Sequence, residues 1–453
     1  MRIAIIGTGI SGLVAAHHLH REHDLTLFEA NDYVGGHTHT HSIELDGEQH
    51  AIDTGFIVFN EANYPNFCAL MNELGVQSQP TSMSFSVRCD RTGLEYNGSS
   101  LNQIFAQRRN LFRPSFLGML RDIVKFGRQA QMLLFAENAT NHDDQGDAAT
   151  VDDFVRERGL GRWFYEKYLV PLGASLWSCP ARTFRGFPIR FVAEFLRNHQ
   201  MLRYAGRPVW RTIRGGSSRY IDPLTRPFRD RIRQRSAVHR VQRFADRVEV
   251  AVRNERAQVF DHVILACHAD TALAMLADAS PLEREVLGAF PYQVNEAILH
   301  TDASLLPRRR RAWASWNYLI PRDEPEHVAV TYNMNMLQNL ASKNTFCVTL
   351  NHDVAIDPKR VLRRIRYDHP VYTTARAKAQ RRHGEVIHAN RTSFCGAYWG
   401  YGFHEDGVKS ALAAVRGIQT LTDRNRASPV IPSMTCRYLA EANDPLRRSP
   451  EFT

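Results

Sequence analysis

The fold of this chain is constrained most by a glycine-rich turn that follows its first apolar run. Residues 2–6 form an apolar run typical of a short strand, Gly7-Thr8-Gly9-Ile10-Ser11-Gly12 comes directly after it, and a helical pattern runs from Leu13 to His20. A strand, a G-x-G-x-x-G turn and a helix in this order are typical of a βαβ unit that binds a dinucleotide. The first glycine permits the tight turn, the second lets the backbone approach the pyrophosphate, and the third lets the helix pack close to the strand. The amides at the helix N-terminus then face the phosphates.

A single acid at the end of the next strand supports this interpretation. The run Leu25 to Phe28 ends in Glu29, at about the distance from the turn that is expected of a carboxylate that binds ribose. We expect Glu29 to accept hydrogen bonds from both ribose hydroxyls of an adenosine; the alternative is a surface acid at a strand end. A G-x-G-x-x-G turn alone is a weak signal, but the turn and the acid together predict a bound dinucleotide.

Paired glycines follow the acid and indicate which dinucleotide is bound. The segment Ala30 to His37 contains Gly35-Gly36 and then a basic residue, His37. It resembles the family of flavin amine oxidases, phytoene desaturases and protoporphyrinogen oxidases, which commonly has a basic residue after the glycine pair. The resemblance implies FAD rather than NAD, because NAD-binding dehydrogenases normally lack the pair. It also implies non-covalent FAD, since no cysteine occupies the position at which family members tether the flavin.

Later segments resemble the same family, in the family's order. Residues 53–57 look like the strand and turn beneath the isoalloxazine, residues 214–220 like the re-entry into the FAD domain, and residues 394–407 like the C-terminal flavin motif. Amides at the start of the final helix would face flavin O2 and stabilise negative charge on the reduced ring. The positions expected to contact FAD, from the turn and from the resemblance together, are Gly7, Gly9, Ile10, Ser11, Gly12, Glu29, Ala30, Gly35, Gly36, His37, Thr38, Gly55, Phe56, Ile57, Val238, Cys267, Gly396, Ala397, Glu405 and Asp406.

Some of these positions also have a purely structural interpretation. Glu405 and Asp406 suit a helix N-terminus as caps, and both roles can hold together. Cys267 is expected to be a packed thiol, because no base is positioned to activate it. His37, His39 and His41 alternate and would share one face of a strand, but no carboxylate or thiolate is placed to complete a metal site, so we expect no metal.

The order of these segments predicts an α/β fold with interleaved domains. A chain of 453 residues is too long for one simple core. We expect residues 1–80, 206–290 and 381–453 to form a Rossmann-like FAD-binding domain. Residues 81–205 and 291–380 would form an α+β substrate domain, made of an antiparallel sheet plus helices. For this second domain the family resemblance is architectural only.

The resemblance also bears on the chemistry. Family members that oxidise amines usually hold a lysine near flavin N5, in the strand that here runs from Tyr292 to Ala297, yet no lysine occurs between Lys167 and Lys343. Flavin itself accepts hydride at N5, so a catalytic base is optional. The titratable groups expected nearest the ring are Glu296, Tyr398 and His404.

Three functions remain open at this point. Residues 53–70 and the C-terminal motif look most like bacterial NAD/FAD-binding proteins related to the flavoprotein portion of plant cyclopropane fatty acid synthases. That resemblance implies an FAD-dependent dehydrogenase, desaturase or oxidase that abstracts hydride from an apolar lipid substrate, such as an unsaturated, methylated or cyclopropane fatty acyl chain. The alternatives are a flavin amine oxidase and a non-catalytic FAD-binding partner of a lipid-modifying enzyme.

Composition narrows the partners and the compartment. The formal charge of +10 suits any anion, but the four arginines at 308–311 have no interleaved aromatics, so we expect no nucleic acid. Residues 101–136 carry six basic residues against Asp122, which favours docking on an anionic lipid surface; the alternative is a helix that caps the substrate domain. Its helical pattern predicts one stripe with Arg121, Asp122, Lys125 and Arg128, away from Val124. Dispersed cysteines without a CxxC pair predict reduced thiols in a cytoplasmic protein, with the inner membrane surface as a peripheral location.

Overall fold

A computed structural model describes residues 1–136, 149–202, 206, 208–322, 329–352 and 356–427. The last part of the third FAD-binding segment, including Cys436, lies outside the described residues.

The strands and helices alternate in the order that the βαβ interpretation requires at the N-terminus. The strands are β1 (Arg2–Ile6), β2 (Asp24–Phe28), β3 (Thr40–Leu45), β4 (Glu48–Asp53), β5 (Ser78–Pro80), β6 (Phe85–Cys89), β7 (Leu94–Asn97), β8 (Arg211–Ile213), β9 (Ile232–Arg233), β10 (Val238–Arg243), β11 (Val248–Val252), β12 (Gln258–Phe260), β13 (His262–Leu265), β14 (Tyr292–His300), β15 (Trp316–Ile320), β16 (Val330–Asn333), β17 (Cys347–Leu350), β18 (Val361–Pro370) and β19 (Thr392–Phe394). The helices are α1 (Ile10–Leu19), α2 (Pro65–Glu73), α3 (Leu101–Ile104), α4 (Pro114–Ala136), α5 (Val151–Glu157), α6 (Arg162–Phe164), α7 (Val170–Leu176), α8 (Ala181–Arg185), α9 (Ile189–Asn198), α10 (Ile221–Thr225), α11 (Ala269–Met275), α12 (Pro281–Gly288), α13 (Met334–Gln338), α14 (Thr374–Arg381), α15 (His383–Val386) and α16 (His404–Ala427).

A five-stranded parallel sheet has the strand order β19-β13-β1-β2-β9. Its central strand is apolar on both faces, which is typical of a parallel sheet covered on both sides. Ile3 and Ile5 pack with α1 and α16 on one face, whereas Ala4 and Ile6 pack with α11, α12 and the β10-β11-β12 sheet on the other. The carboxyl ends of β1, β2, β13 and β19 meet at one edge, where ligands bind in open α/β sheets. The predicted Rossmann-like class is confirmed.

A second sheet of seven strands has the order β18-β14-β17-β16-β15-β6-β7. All its strands come from residues 85–97 and 292–370, and helices α4 to α9 contribute to the core beside it. It is not purely antiparallel as expected, because β15 and β6 pair in parallel. These two strands belong to segments that the FAD-binding segment separates in the chain, so no hairpin forces them to run in opposite directions.

Two local details also differ from the sequence prediction or refine it. Strands β10 and β11 pair antiparallel and form a hairpin, in which Val238 is the first residue. The stripe expected on α4 is wrong: Asp122 is buried and Val124 is exposed, because the helix turns its apolar Phe116 and Phe126 inward on the side that Asp122 shares. Within the described residues, no helix is both long enough and apolar enough to cross a membrane.

Candidate functional site

The turn after β1 has the geometry of a phosphate-binding loop. Gly7 has a φ of 102°, and a Cβ there would lie 2.8 Å from the Ala266 carbonyl oxygen. A Cβ on Gly12 would lie 2.0 Å from the Gly7 carbonyl oxygen, so no side chain fits. Gly9 faces open space instead and is the N-cap of α1, whose first turn has no side-chain cap and no acid. The first amides of α1 are therefore available to an anionic ligand.

Two segments distant in sequence lie against this turn. A Cβ on Gly36, whose φ is 58°, would lie 3.1 Å from the Gly9 Cα, so the glycine pair brings its loop directly onto the turn. From the C-terminal motif, the Gly407 carbonyl accepts a hydrogen bond of 3.0 Å from the Ser11 hydroxyl. A Cβ on Gly407 would also lie 2.8 Å from Ile10 Cγ2. The structure thus brings residues 7–12, 35–36 and 407 together.

Glu29 lies at the same sheet edge, directly after β2. It is 5% exposed. Its carboxylate accepts hydrogen bonds from the Thr8 amide (3.1 Å), the Thr8 hydroxyl (2.5 Å) and the Asn31 amide (2.9 Å). These bonds orient an acid that keeps acceptor capacity for a ribose hydroxyl. The Ser236 amide donates to the Glu29 carbonyl at 2.8 Å, which places the start of β10 and Val238 nearby. Ala30 is exposed.

The remaining residues of the expected cofactor set lie around this edge. Cys267 follows Ala266 next to Gly7, and desolvation raises the pKa of its thiol to about 12, so it stays protonated. The Gly396 amide donates to the Ser410 hydroxyl at 2.9 Å, which holds the loop after β19 against α16. Gly35 and Ala397 lie in the same loops as Gly36 and Gly396, and the Ile57 carbonyl accepts from the Thr212 hydroxyl at 3.0 Å.

His404 begins α16 and contacts both the first and the second FAD-binding segments. Its ring stacks on Phe56 with centroids 3.6 Å apart, and its Nε2 lies 3.0 Å from the Thr38 hydroxyl and 3.4 Å from the Tyr220 hydroxyl. Burial lowers the pKa of His404 to about 3, so the ring is neutral at pH 7. The sequence pattern assigns no role to Tyr220, although its segment carries the family resemblance.

A second group of rings lies beside His37, and we call it the ring-side cluster: His37, His268, Tyr292, Tyr367 and His369. The His37 ring centroid lies 5.0 Å from that of Tyr367, 5.7 Å from that of His369 and 6.0 Å from that of His268, which stacks on Tyr292 at 4.5 Å. Desolvation, followed by the neighbouring histidines, lowers the pKa of His37 well below its usual range. Desolvation also lowers the pKa of His369 to about 4.

The family resemblance indicates the segments that contain His37, His268 and Tyr292, but no pattern in the sequence indicates Tyr367 or His369. Only His37 is expected at the flavin; Tyr367 and His369 come from β18 and reach the cluster because alternate residues of a strand point to the same face. Gly55 and Phe56 lie directly beneath His37: a Cβ on Gly55 would lie 2.1 Å from the His37 carbonyl oxygen, and the Phe56 amide donates to that oxygen at 2.8 Å.

The Asp53 carboxylate connects segments that are distant in sequence. It is fully buried and accepts hydrogen bonds from the Ser217 amide and hydroxyl, the Thr40 hydroxyl and the Gln338 side-chain amide. Burial raises the pKa of Asp53 to about 6. Ser217 belongs to the second FAD-binding segment and Gln338 to α13 of the substrate domain, so one carboxylate ties three segments together.

Two expected acids or bases lie in other surroundings. Glu296 pairs with Arg364 at 3.1 Å on the outer face of β14, because its neighbour Asn295 takes the inward direction and contacts His369. Glu296 is therefore withdrawn as a candidate acid or base. Tyr398 is 3% exposed and packs on Phe290 within the apolar core on the far side of the parallel sheet, where desolvation raises its pKa, so it is withdrawn as well.

The two carboxylates at the start of α16 act as helix caps. Glu405 accepts from the Phe67 amide at 3.0 Å and so caps α2, while Asp406 accepts from the Phe403 amide at 3.0 Å in its own first turn. Burial raises the pKa of Asp406 to about 6.

The alternating histidines serve hydrogen bonds and stacking. His39 stacks on Tyr33 with centroids 4.1 Å apart, and His41 Nε2 lies 3.1 Å from the Thr54 hydroxyl. Across the described part of the chain, no group of three or more histidine, cysteine, aspartate or glutamate side chains is arranged to hold a metal ion.

The donor set at this edge fits FAD. An uncapped helix N-terminus suits a diphosphate, the buried Glu29 suits a ribose, and the neutral rings of His37 and His404 suit a flat, apolar ring system. The open space at Gly9, between tightly packed glycines, is a cradle that any larger residue would fill.

Comparisons with known proteins agree with this geometry. A family model described as flavin containing amine oxidoreductase matches residues 10–320. Tryptophan 2-monooxygenase of Allorhizobium ampelinum is 38% identical over 103 residues, which are 22% of this chain and only 14% of that protein. Cyclohexylamine oxidase from Brevibacterium oxydans has a TM-score of 0.67 at 16% identity, covering 93% of this chain and 99% of that chain. A fatty acid isomerase from P. acnes that produces CLA has a TM-score of 0.62 at 16% identity, covering 92% and 98%. At such identities the structural likeness shows the fold alone.

Proposed function

This chain belongs to the flavin-containing amine oxidoreductase family and is an FAD-dependent oxidoreductase, and we propose that it removes hydride from an apolar, uncharged substrate, with a fatty acyl lipid as the substrate class. FAD, when bound, supplies the hydride acceptor at N5. The task left to the protein is to bind the substrate, orient the carbon that loses hydride and exclude water.

The ring-side cluster carries this proposal, because its side chains are uncharged at pH 7. Its three histidines have lowered pKa values, and its two tyrosines, Tyr292 and Tyr367, have pKa values raised by desolvation. A charged substrate group next to them would lose its hydration without gaining an ionic partner in the cluster, which is costly. An alkyl or alkenyl segment loses nothing by the same transfer.

The strand nearest the cluster also lacks the lysine that amine-oxidising family members usually hold near flavin N5. Residues 292–300 of β14 contain none. The preceding lysine in the chain, Lys167, is 4% exposed and lies 3.7 Å from Glu166 in the substrate domain. An acyl substrate does not need that ammonium group, whereas an amine oxidase of this family normally uses it.

An apolar wall connects the substrate domain to the C-terminal flavin motif. Phe191 of α9 stacks on Tyr372 with centroids 4.6 Å apart and lies 5.4 Å from Tyr401, while Phe195 stacks on Phe403 at 5.5 Å. Tyr401 and Phe403 immediately precede α16. We infer that these rings contact the hydrocarbon chain, because sites for apolar ligands are lined mainly by aromatic and aliphatic side chains. The fold of the fatty acid isomerase named above, which this chain resembles, serves an acyl substrate in that protein.

An amine is the second candidate. The cyclohexylamine oxidase fold covers 93% of this chain, and aromatic rings that line a site also suit the apolar part of a small neutral amine. For this candidate the ring-side cluster would contact the amine in its uncharged form.

Anaerobic reduction of the flavin distinguishes the two candidates. Purified holoprotein is mixed with unsaturated, methylated and cyclopropane fatty acyl lipids in one series and with alkyl and aryl amines in another, and the absorbance of the oxidised flavin is followed. We expect bleaching by at least one lipid and none by amines. Bleaching by amines alone would replace the lipid proposal with the amine one.

A matched pair of variants then links the reaction to the apolar wall. Phe191→Leu shortens the wall, and we expect a higher KM for the acyl substrate with unchanged FAD content. Phe244→Leu, on the β10–β11 turn of the FAD-binding domain, is the control and leaves KM unchanged.

A further inference from the structure

The outward face of α4 has an unusual composition for a surface helix. We call it the α4 face; its exposed members are Pro114, Leu117, Arg121, Val124, Arg128, Met132 and Phe135. They recur every three or four residues, so they form one continuous stripe along the helix. Every member is either apolar or an arginine. A surface helix normally presents mixed polar side chains there.

The opposite face of the helix already contacts the core. Phe116, Met119, Phe126, Ala130 and Leu134 are buried in the cluster of the substrate domain. The apolar residues of the α4 face are therefore surplus to the packing of this domain. Met132 is 67% exposed and Phe135 70% exposed. Large apolar side chains exposed in a row mark a contact with a partner or a membrane.

The segment before α4 also exposes large apolar side chains next to arginines. Leu101 is 75% exposed and Phe112 87% exposed. Arg109, Phe112, Arg113 and Pro114 line, with Thr92, an open cleft of about 340 Å³. Arg113 lies over the Trp163 ring, 4.6 Å from its centroid, which fixes a guanidinium at the cleft. Phe112 thus projects beside a pair of arginines.

The positive charge around the α4 face indicates an anionic partner. Residues 101–136 contain six basic residues and one acid, Asp122. That acid is buried, accepts a hydrogen bond of 2.9 Å from the Gly161 amide and pairs at 3.2 Å with Arg121, so it compensates one arginine at most. Arg108 and Arg109 donate hydrogen bonds to neutral oxygens, of the Asn102 side chain and the Gly93 backbone, so no carboxylate of the described residues neutralises their charge. The exposed run Arg308–Arg311 adds further positive charge, since its turn packs on α3.

We propose that the α4 face and the exposed Phe112 dock the enzyme on an anionic membrane surface, with α4 lying in the plane of the interface. Apolar side chains of an interfacial helix enter the boundary between headgroups and acyl chains, while arginines contact lipid phosphates. Each basic residue near an anionic leaflet adds to the attraction between the protein and the membrane. A second copy of this chain fits less well, because a symmetric contact would place the arginines of both faces against each other. This docking is independent of which substrate the flavin oxidises.

Vesicle sedimentation tests the proposal with the full-length holoprotein. Vesicles of phosphatidylcholine alone are compared with vesicles that also contain phosphatidylglycerol. We expect the protein to sediment with the anionic vesicles, to remain in solution with neutral ones, and to be released at about 1 M salt, where the Debye length falls to about 3 Å. Absence of sedimentation with anionic vesicles at low salt overturns the proposal.

Paired variants assign the binding to this face. The double variant Phe112→Ser/Phe135→Ser removes two exposed rings, and we expect its partition onto anionic vesicles to fall about ten-fold or more. Phe244→Ser, 39% exposed on the β10–β11 turn, is the control and should bind as the parent does. Both changes are at the surface, so equal melting temperatures and FAD contents show that folding is intact.

Two outcomes contradict the assignment. If the double variant binds vesicles as the parent does, the α4 face is not the docking surface. If the parent forms a dimer in solution that the double variant loses, and neither binds vesicles, the face is an interface between copies of this chain.

Discussion

The two domains define their parts of the site by different means. At the edge of the parallel sheet, the decisive features are backbone ones: positive φ at Gly7, no room for a side chain at Gly12, and uncapped amides at the start of α1. In the substrate domain, they are side chains that strand alternation turns inward, such as Tyr367 and His369 on β18. Backbone features should therefore decide whether the cofactor binds, and the inward side chains how fast it is reduced.

The largest effect is expected at Gly12. A Cβ there would lie 2.0 Å from the Gly7 carbonyl oxygen, so Gly12→Ala must push α1 away from β1 and distort the phosphate loop. We expect about 3 kcal/mol of lost unfolding free energy and loss of bound FAD. Flavin absorbance after purification and a urea unfolding curve measure both.

Gly118→Ala is the matched control for that prediction. Gly118 lies inside α4, and a Cβ added there would have no neighbour within 4 Å outside its own helix turn, so the same chemical change should raise helix stability by about 1 kcal/mol. Equal FAD content in the Gly12→Ala protein and the parent would show that backbone packing does not decide cofactor binding.

The next effect concerns Glu29. Glu29→Ala leaves the buried amide of Thr8 and the partly buried amide of Asn31 without their acceptor and removes the expected ribose contact. A hydrogen bond to a charged group contributes about 1.5–3 kcal/mol, so loss of the ribose contact should raise the Kd for FAD about 100-fold, while the unsatisfied amides lower the stability of the fold. Quenching of flavin fluorescence on binding measures the Kd. A change below about two-fold would exclude the ribose contact, since a neighbouring bond alone is worth more.

The substrate-domain side of the comparison is tested at Tyr367. Its hydroxyl lies 2.8 Å from that of Thr54 and 3.1 Å from His39 Nδ1, so Tyr367→Phe loosens the ring-side cluster without touching the phosphate loop. We expect the rate of flavin reduction to fall about ten-fold, which corresponds to a rise of about 1.4 kcal/mol in the activation free energy, with the Kd for FAD unchanged. Tyr33→Phe is the control, because within the described residues the Tyr33 hydroxyl has no hydrogen bond. A raised Kd for FAD in Tyr367→Phe would contradict the division between the two domains.

The same division explains what could be predicted from the sequence. Gly7, Gly9, Gly12 and Glu29 lie within 25 residues of each other, and their spacing alone fixes a strand, a turn, a helix and an acid at one sheet edge. Tyr367 and His369 lie more than 300 residues from His37, and only the pairing of β18 with β14 brings them to it. A local pattern contains no information on such pairing.

Two of the wrong expectations, those for Glu296 and for α4, have the same cause. The strand alone predicts Glu296 at the ring, but the face on which a strand residue lies depends on register, and here Asn295 points inward. On α4, the charge of Asp122 predicts a place among the surface arginines. The structure buries it against the Gly161 amide, a partner that comes from a segment 39 residues further along the chain.

The smallest effect is a dependence of stability on pH that distinguishes His404 from the carboxylates near it. Burial lowers the pKa of His404 to about 3, below that of the unfolded chain, so the unfolded state binds more protons as the pH falls below about 6.5. Its contribution to stability is therefore present above about pH 6.5 and is lost on acidification. Asp53 and Asp406 act in the opposite direction, because their raised pKa values of about 6 make the folded state bind more protons than the unfolded state between about pH 4 and 6.

Comparison of a variant with the parent removes the contribution of the carboxylates, which both proteins share. His404→Phe keeps a ring on Phe56 and loses the hydrogen bond to Thr38 at every pH. This loss lowers the whole curve of unfolding free energy against pH by a constant amount. Between about pH 7 and 5.5 the free energy of unfolding, measured with urea, should therefore fall by about 1 kcal/mol more for the parent than for the variant. His239→Gln, at an exposed position on β10, should behave as the parent does. Parallel curves for His404→Phe and the parent would mean that His404 is protonated as easily in the folded protein as in the unfolded chain, so its ring would become cationic below about pH 6.5 and would not be held neutral by burial against Phe56.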